Sequence, residues 1–206
     1  MNGINKSSPN IKIYFDTVEY RTIYYILNVL RSRNVSYVIL KEKSVTDADV
    51  IISDNFNTED KVIQTKTITY DPITDFVMII TKIFGGEKDC LFLGVDPGKR
   101  TGVAVYLGKR LILNEVISPW EDAVLYIVKI LSKIECSKKI VKIGSGNLKV
   151  AEELKRVLKT RFEDLDIYFV NEQRTTISAK KKKNQGREKD KISAISIVHK
   201  NGEKVV

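Results

Sequence analysis

The sequence predicts an α/β protein of two domains, a small shortened doubly wound unit followed by a larger one built on a mixed sheet. Three observations predict it. Residues 11–84 alternate strand-like and helix-like segments. Residues 91–117 hold three consecutive strands, the first strongly apolar and the second rich in β-branched side chains, and α/β alternation follows them. Between these regions, Gly85-Gly86-Glu87-Lys88-Asp89 sets two glycines and three charges among apolar neighbours, which is linker composition. The expected domains are therefore residues 1–86 and 87–206.

In the first domain, residues 11–16 form a strand and residues 19–33 a helix, with Tyr20, Ile23, Tyr24, Leu27 and Leu30 at helical spacing; a strand at 36–40 completes a parallel βαβ crossover. Short strands follow at 48–53 and 61–64, and residues 41–47, between the strand at 36–40 and the first of these, are too few for a full crossover helix. A helix at 73–84 starts from Asp71 as N-cap, with Pro72 at the first helical position. Asp16 and Asp54 fall at strand ends and Lys66 soon after a third, which is where open α/β sheets bind ligands. The pattern is faintly similar to a bacterial receiver domain, but only one acid follows the first strand. Asp at a turn needs no function, so these read as ordinary strand-terminal polar residues. The default role of this domain is to bind a protein partner or to dimerise.

The second domain opens with a strand at 91–95 too apolar for a surface position, then a Pro97-Gly98 turn and strands at 101–107 and 110–117. Asp96 thus stands where a buried strand leaves its sheet. Ser118-Pro119-Trp120-Glu121 reads as a capping box with Pro at the first helical position, starting a helix with Val124, Ile127, Val128, Leu131 and Ile134 as its apolar stripe. A strand at 140–144 leads to a helix at 148–162 that turns Ala151, Leu154 and Leu158 inward. A strand at 167–171 and a final helix from about Asp190 complete the series.

Asp96-x-Gly-x-x-x-Gly on the first of three antiparallel strands, with α/β alternation after them, resembles the ribonuclease H-like superfamily over residues 90–200. Within it the chain resembles RuvC-like Holliday-junction resolvases and, more closely, the related YqgF family of resolvases or ribosomal RNA nucleases. RuvC-like proteins usually carry a glutamate at the end of the fourth strand, where this sequence has Ser145 and Asn147 nearby. YqgF proteins instead end that strand at a glycine turn and take the acid from the next strand; Glu172 in Val170-Asn171-Glu172-Gln173-Arg174-Thr175-Thr176 carries over. Asn171 stands where that family has Asp, and Gln173 where it has Arg. Asp190 matches the acid that opens the last helix, followed by Ser193-Ala194 and Ile197; a second Asp of RuvC-like proteins is replaced by Ser193.

The resemblance implies a metal-dependent phosphodiester hydrolase in which Asp96, Glu172 and Asp190 are both catalytic residues and ligands of Mg²⁺ or Mn²⁺, with two ions expected. Hard cations favour carboxylate oxygens, and converging carboxylates need a cation to relieve their repulsion. Lys180, Lys181, Lys182 and Lys183 form a run that could grip phosphates flanking the scissile bond, and Lys99, Arg100, Arg174 and Arg187 are the other expected nucleic-acid contacts. His199, nine residues after Asp190, is expected to be a surface or packing residue.

Composition supports these expectations at class level. Lys and Arg number 35 against 26 Asp and Glu, a formal charge of +9 that favours an anionic partner such as DNA or RNA. No apolar run approaches the ~18 residues of a membrane span, so no membrane partner is expected. Residues 1–10 are polar and lack a secretory core, and Cys90 and Cys136 are too isolated for a disulfide framework or a zinc site, which together suggest the cytoplasm. Junction cutting would favour a symmetric pair of sites, making a homodimer a candidate assembly. The alternative to a nuclease is a catalytically weak or inactive ribonuclease H-like module that binds nucleic acid or protein. An actin-like ATPase, whose first phosphate loop resembles residues 96–102, lacks room here for its duplicated domain.

Overall fold

The computed structural model describes residues 10–55, 60–84, 90–134, 136–171 and 186–205. The chain divides into two compact units, Met1–Gly85 and Gly86–Val206.

In the first unit β1 (Ile11–Asp16), α1 (Tyr20–Ser32), β2 (Tyr37–Ile39), β3 (Val50–Ser53), β4 (Val62–Gln64) and α2 (Pro72–Phe84) follow the expected order. The sheet is parallel throughout, in the order β2-β1-β3-β4. The short second crossover becomes a 3-10 segment, Glu42–Asp47. Helix α1 buries Thr22, Ile26, Val29 and Leu30, a stripe that departs from the expected one: of that set only Leu30 is buried, Ile23 and Leu27 are half-buried, and Tyr20 and Tyr24 are exposed. Helix α2 starts as its sequence dictates: the Asp71 Oδ1 accepts a hydrogen bond from the Thr74 N–H at 2.9 Å. One turn on, the fully buried Asp75 accepts from the Tyr25 hydroxyl at 2.7 Å and from both the N–H and hydroxyl of Thr69. Burial and this carboxylate push the Tyr25 phenol well above its ordinary pKa.

The strand-end acids are held by neighbouring strand ends. Asp16 accepts from the Ser53 hydroxyl at 2.7 Å and the Asn55 amide at 3.1 Å, while Asp54 accepts from the Thr65 hydroxyl at 2.7 Å. Hydrogen bonds from Thr65 and Thr17 lower the Asp54 pKa.

The second unit contains β5 (Cys90–Asp96), β6 (Thr101–Leu107), β7 (Arg110–Ile117), α3 (Trp120–Lys133), β8 (Lys138–Gly144), α4 (Leu148–Arg161), β9 (Asp166–Val170), α5 (Arg187–His199) and β10 (Glu203–Val205). Its six-stranded sheet has the order β10-β9-β8-β5-β6-β7. Strands β5, β6 and β7 are antiparallel neighbours, and β8 and β9 extend the sheet in parallel from β5. Three antiparallel strands followed by parallel α/β alternation is the series that the ribonuclease H-like resemblance implies. Strand β10, antiparallel to β9, was not legible in a segment of only three residues, two of them charged.

The start of α3 departs from the expected capping box. Pro119 is extended and occupies the N-cap itself rather than the first helical position. Ser118 therefore lies one residue too early to cap, and its hydroxyl donates to the Lys99 carbonyl at 3.4 Å. The stripe of α3 is as periodicity requires, with Ile127, Val128, Leu131 and Ile134 buried, joined by Ala123 and Ile130; Val124 is half-buried. Both cysteines are free thiols.

Strand alternation sorts the central pair by face. Leu91, Leu93 and Val95 of β5 are fully buried on one side. The other side carries Phe92, Gly94 and Asp96, opposite Tyr106, Ala104 and Gly102 of β6, and it receives α5. A β-carbon at Gly94 would lie 2.3 Å from the Ala194 carbonyl oxygen, and one at Gly102 equally close to that of Asp190. Here glycine is required by close approach rather than by backbone angle.

Two predictions follow from these contacts. Gly102→Ala should destabilise the protein by ~1–3 kcal/mol, since neither backbone can yield cheaply; Gly98→Ala, whose β-carbon would reach the Arg100 carbonyl only to 3.2 Å, should cost less. Chemical denaturation of both variants checks the order. At the opposite sheet edge, Asp166 is paired with Lys138 and Lys204, whose hydrogen bonds lower its pKa to about 2. Because the folded value is depressed, the stabilisation is present above the unfolded pKa of ~4 and is lost as pH falls toward 2. Asp166→Asn should therefore melt modestly lower than wild type at neutral pH, with the gap closing across that acid window.

Candidate active site at the edge of the mixed sheet

The site is assembled from two backbone placements. Strand β5 delivers Asp96 at its carboxyl end, half-buried and directly across from Gly102 of β6. Directly opposed residues of an antiparallel pair project to the same face, so the Asp96 side chain emerges on the face where Gly102 meets α5. The residue of α5 lying over Gly102 is Asp190. Asp96 and Asp190, some ninety positions apart in sequence, are thus both placed at one end of one sheet face, each beside Gly102.

Residues 190, 194 and 198, at i, i+4 and i+8, form the helix edge that lies along the sheet. Ala194 and Val198 complete a buried cluster with Ala104 and Tyr106, against which Phe92 and Ile195 pack. Lys142, the parallel-register neighbour of Gly94, reaches the far end of the helix and donates to the carbonyls of Val198 at 2.7 Å and Lys200 at 2.6 Å. Burial pushes its ammonium pKa below the ordinary value, and the carbonyls it satisfies are among those a helix terminus leaves open. His199 is exposed; its ring meets Tyr106 edge-on, with Nε2 3.2 Å from the hydroxyl, in keeping with a packing role.

Asp190 sits in the first turn of α5 with its side chain 20 % exposed. The Arg100 guanidinium, from the β5–β6 turn, places Nη2 3.1 Å from Asp190 Oδ2. That approach lacks hydrogen-bond geometry, leaving Oδ2 buried with no hydrogen-bond partner among the described residues. The contact is therefore chiefly electrostatic.

Of the other expected site residues, Lys99 and Arg187 are exposed, Arg187 as the first residue of α5. Glu172, Arg174 and Lys180, Lys181, Lys182 and Lys183 lie outside the described residues. Among those described, no three His, Cys, Asp or Glu side chains are grouped as a metal site would need. Ser145 and Asn147 both have structural partners: the Ser145 hydroxyl donates to the Val170 carbonyl at 3.1 Å, and Asn147 caps α4 by accepting from the Val150 N–H. Sequence reasoning missed Lys142, although a lone lysine inside the apolar run Ile140-Val141-Lys142-Ile143 was a usable signal. No helix among the described residues is long and apolar enough to cross a membrane.

No protein-family model matches the chain, and no curated protein matches it. Among solved structures it is similar to Marinitoga piezophila Argonaute in complex with 5′-OH guide RNA and target DNA, at 8% identity and a TM-score of 0.27. The alignment covers 80% of this chain and 39% of that one, and a likeness this slight does not bear on the site.

Lys142→Met keeps most of the stem but removes the donor from two carbonyls at the end of α5. It should destabilise the protein by ~1–3 kcal/mol and speed amide exchange selectively in the last turn of that helix, measurable by hydrogen–deuterium exchange.

Proposed function

We propose that this protein is a metal-dependent nuclease of the ribonuclease H-like kind, acting on structured or branched nucleic acid. The observation that carries the proposal is the placement of Asp96 and Asp190 beside Gly102, at one end of one sheet face. Carboxylates brought to one end of a sheet face favour positive charge nearby, and their oxygens suit a hard divalent cation. Asp96, Glu172 and Asp190 are the assigned ligands of Mg²⁺ or Mn²⁺, with two ions as the expected complement. Bound ions would supply an activated water and stabilise the leaving oxygen of a phosphodiester.

The chain's own contribution is positioning and charge. The glycine seat of α5 fixes where Asp190 stands relative to Asp96, and Lys142 holds the other end of the helix. Lys99, Arg100, Arg174, Lys180 to Lys183 and Arg187 are assigned to phosphates, giving affinity without sequence reading. The first unit is assigned a partner-binding role, and a homodimer would pair two sites for junction cutting.

A second reading, a ribonuclease H-like module that binds nucleic acid or protein without cutting, is favoured by two observations. Arg100 already provides positive charge at Asp190, and Ser145 and Asn147 are committed to structural bonds where related resolvases place an acid.

Cleavage of a four-way DNA junction and of a structured RNA in Mn²⁺ tests the proposal. Wild type should cut at least one of them, and Asp96→Asn and Asp190→Asn should each lose about a thousandfold or more, with the double variant little worse than either. Equal cleavage by wild type and Asp96→Asn would reject the site. Wild-type binding of Mn²⁺ and nucleic acid without cleavage of either substrate would establish the second reading.

A further inference from the structure

Arg100 stands in the same turn as Lys99, yet its guanidinium is directed at the candidate site. It lies 3.1 Å from Asp190 Oδ2. On its other side is Gly186, the N-cap of α5, where a β-carbon would come within 2.8 Å of Nη1 and 3.1 Å of Nη2. The guanidinium is thus set between the start of α5 and the carboxylate one turn into it. Its side chain is 45 % exposed, so it can leave without opening the core. Asp190 is the less exposed partner and gains no hydrogen bond at Oδ2 from the contact, so that atom's donor capacity is left for another cation.

We propose that Arg100 is a built-in counter-ion that holds the place of a divalent cation on Asp190 and is displaced when the cation binds. This rests on the metal site assigned under the proposed function, and it deepens that assignment by adding a threshold. Without metal, the guanidinium offsets the repulsion between Asp190 and Asp96 and keeps the first turn of α5 in place. A cation must compete with it, so the site fills only when the cation concentration overcomes the ion pair. Arg100 is on this account a positioning and gating residue, not a ligand. Arginine suits the task because it stays charged at any working pH and forms a weaker hydration shell than lysine, so its resting contact persists.

Isothermal titration of the full-length protein with Mn²⁺ alone, without nucleic acid, tests the exchange by a readout independent of cleavage. Wild type is compared with Arg100→Gln, Arg100→Ala and Asp190→Asn, each first checked by thermal melting. The expected result is Mn²⁺ binding about fivefold or more tighter in both Arg100 variants than in wild type, the lower end of ordinary coupling energies, and lost in Asp190→Asn. Two variants are used because glutamine could form a new hydrogen bond to Asp190 that alanine cannot. Unchanged or weaker binding in both Arg100 variants, with Asp190→Asn still losing it, would overturn the exchange while leaving the metal site intact. Absence of Mn²⁺ binding from wild type and both Arg100 variants would overturn the metal site and the exchange with it.

Discussion

The second unit depends on the absence of two β-carbons. At Gly94 and Gly102 the backbone of α5 comes so near the sheet that carbonyl oxygens of Ala194 and Asp190 occupy the space a side chain would take. Interiors pack at crystal-like density, so a helix seated this closely cannot shift along the sheet without losing contact along its whole edge. Ala104 and Ala194 continue the low-relief seam, and Tyr106 and Val198 close it. The seam fixes which residue of α5 stands over Gly102, the cross-strand partner of Asp96, and that residue is an aspartate.

Charge is arranged along α5 to match its two ends. Glu188 and Asp190 occupy the first turn, where acids suit the positive end of the helix dipole, and the Lys142 ammonium sits at the carbonyls of the last turn. These placements alone would serve stability. What distinguishes the first turn is that its aspartate lies over Gly102, the cross-strand partner of Asp96, and carries a surface arginine as partner. Under the proposed function, the helix-dipole acid and the site acid are the same residue.

The first unit offers a contrast. Its acids also stand at strand ends, but Asp16 and Asp54 accept hydrogen bonds from hydroxyls and an amide on neighbouring strand ends. Their oxygens are used to lace β1, β3 and the segment after β4 together. Its buried acid, Asp75, is likewise surrounded by donors from Tyr25 and Thr69. Those acids are held by hydroxyls and an amide, whereas Asp190 is met by a guanidinium.

The sequence alone determined the order of elements, because strand composition, turns and helical spacing are local properties: Ile11–Asp16 opens with its own alternation, Thr101–Leu107 and Arg110–Ile117 are marked by apolar and β-branched residues between turns, and Asp71 caps α2 from three residues away. It also singled out Asp96, since a carboxylate ending an apolar strand is visible without any partner. Cap chemistry failed at Ser118, where one extended residue, Pro119, moved the helix start out of reach. Strand β10 was too short to announce itself, as its pairing comes from β9 rather than from its own composition. Only the tertiary structure decided that Gly94 and Gly102 seat α5, that Lys142 holds its far end, and that Arg100 meets Asp190. Each of these joins residues far apart in the chain through backbone proximity, and a linear pattern carries no record of which backbones come close enough to touch.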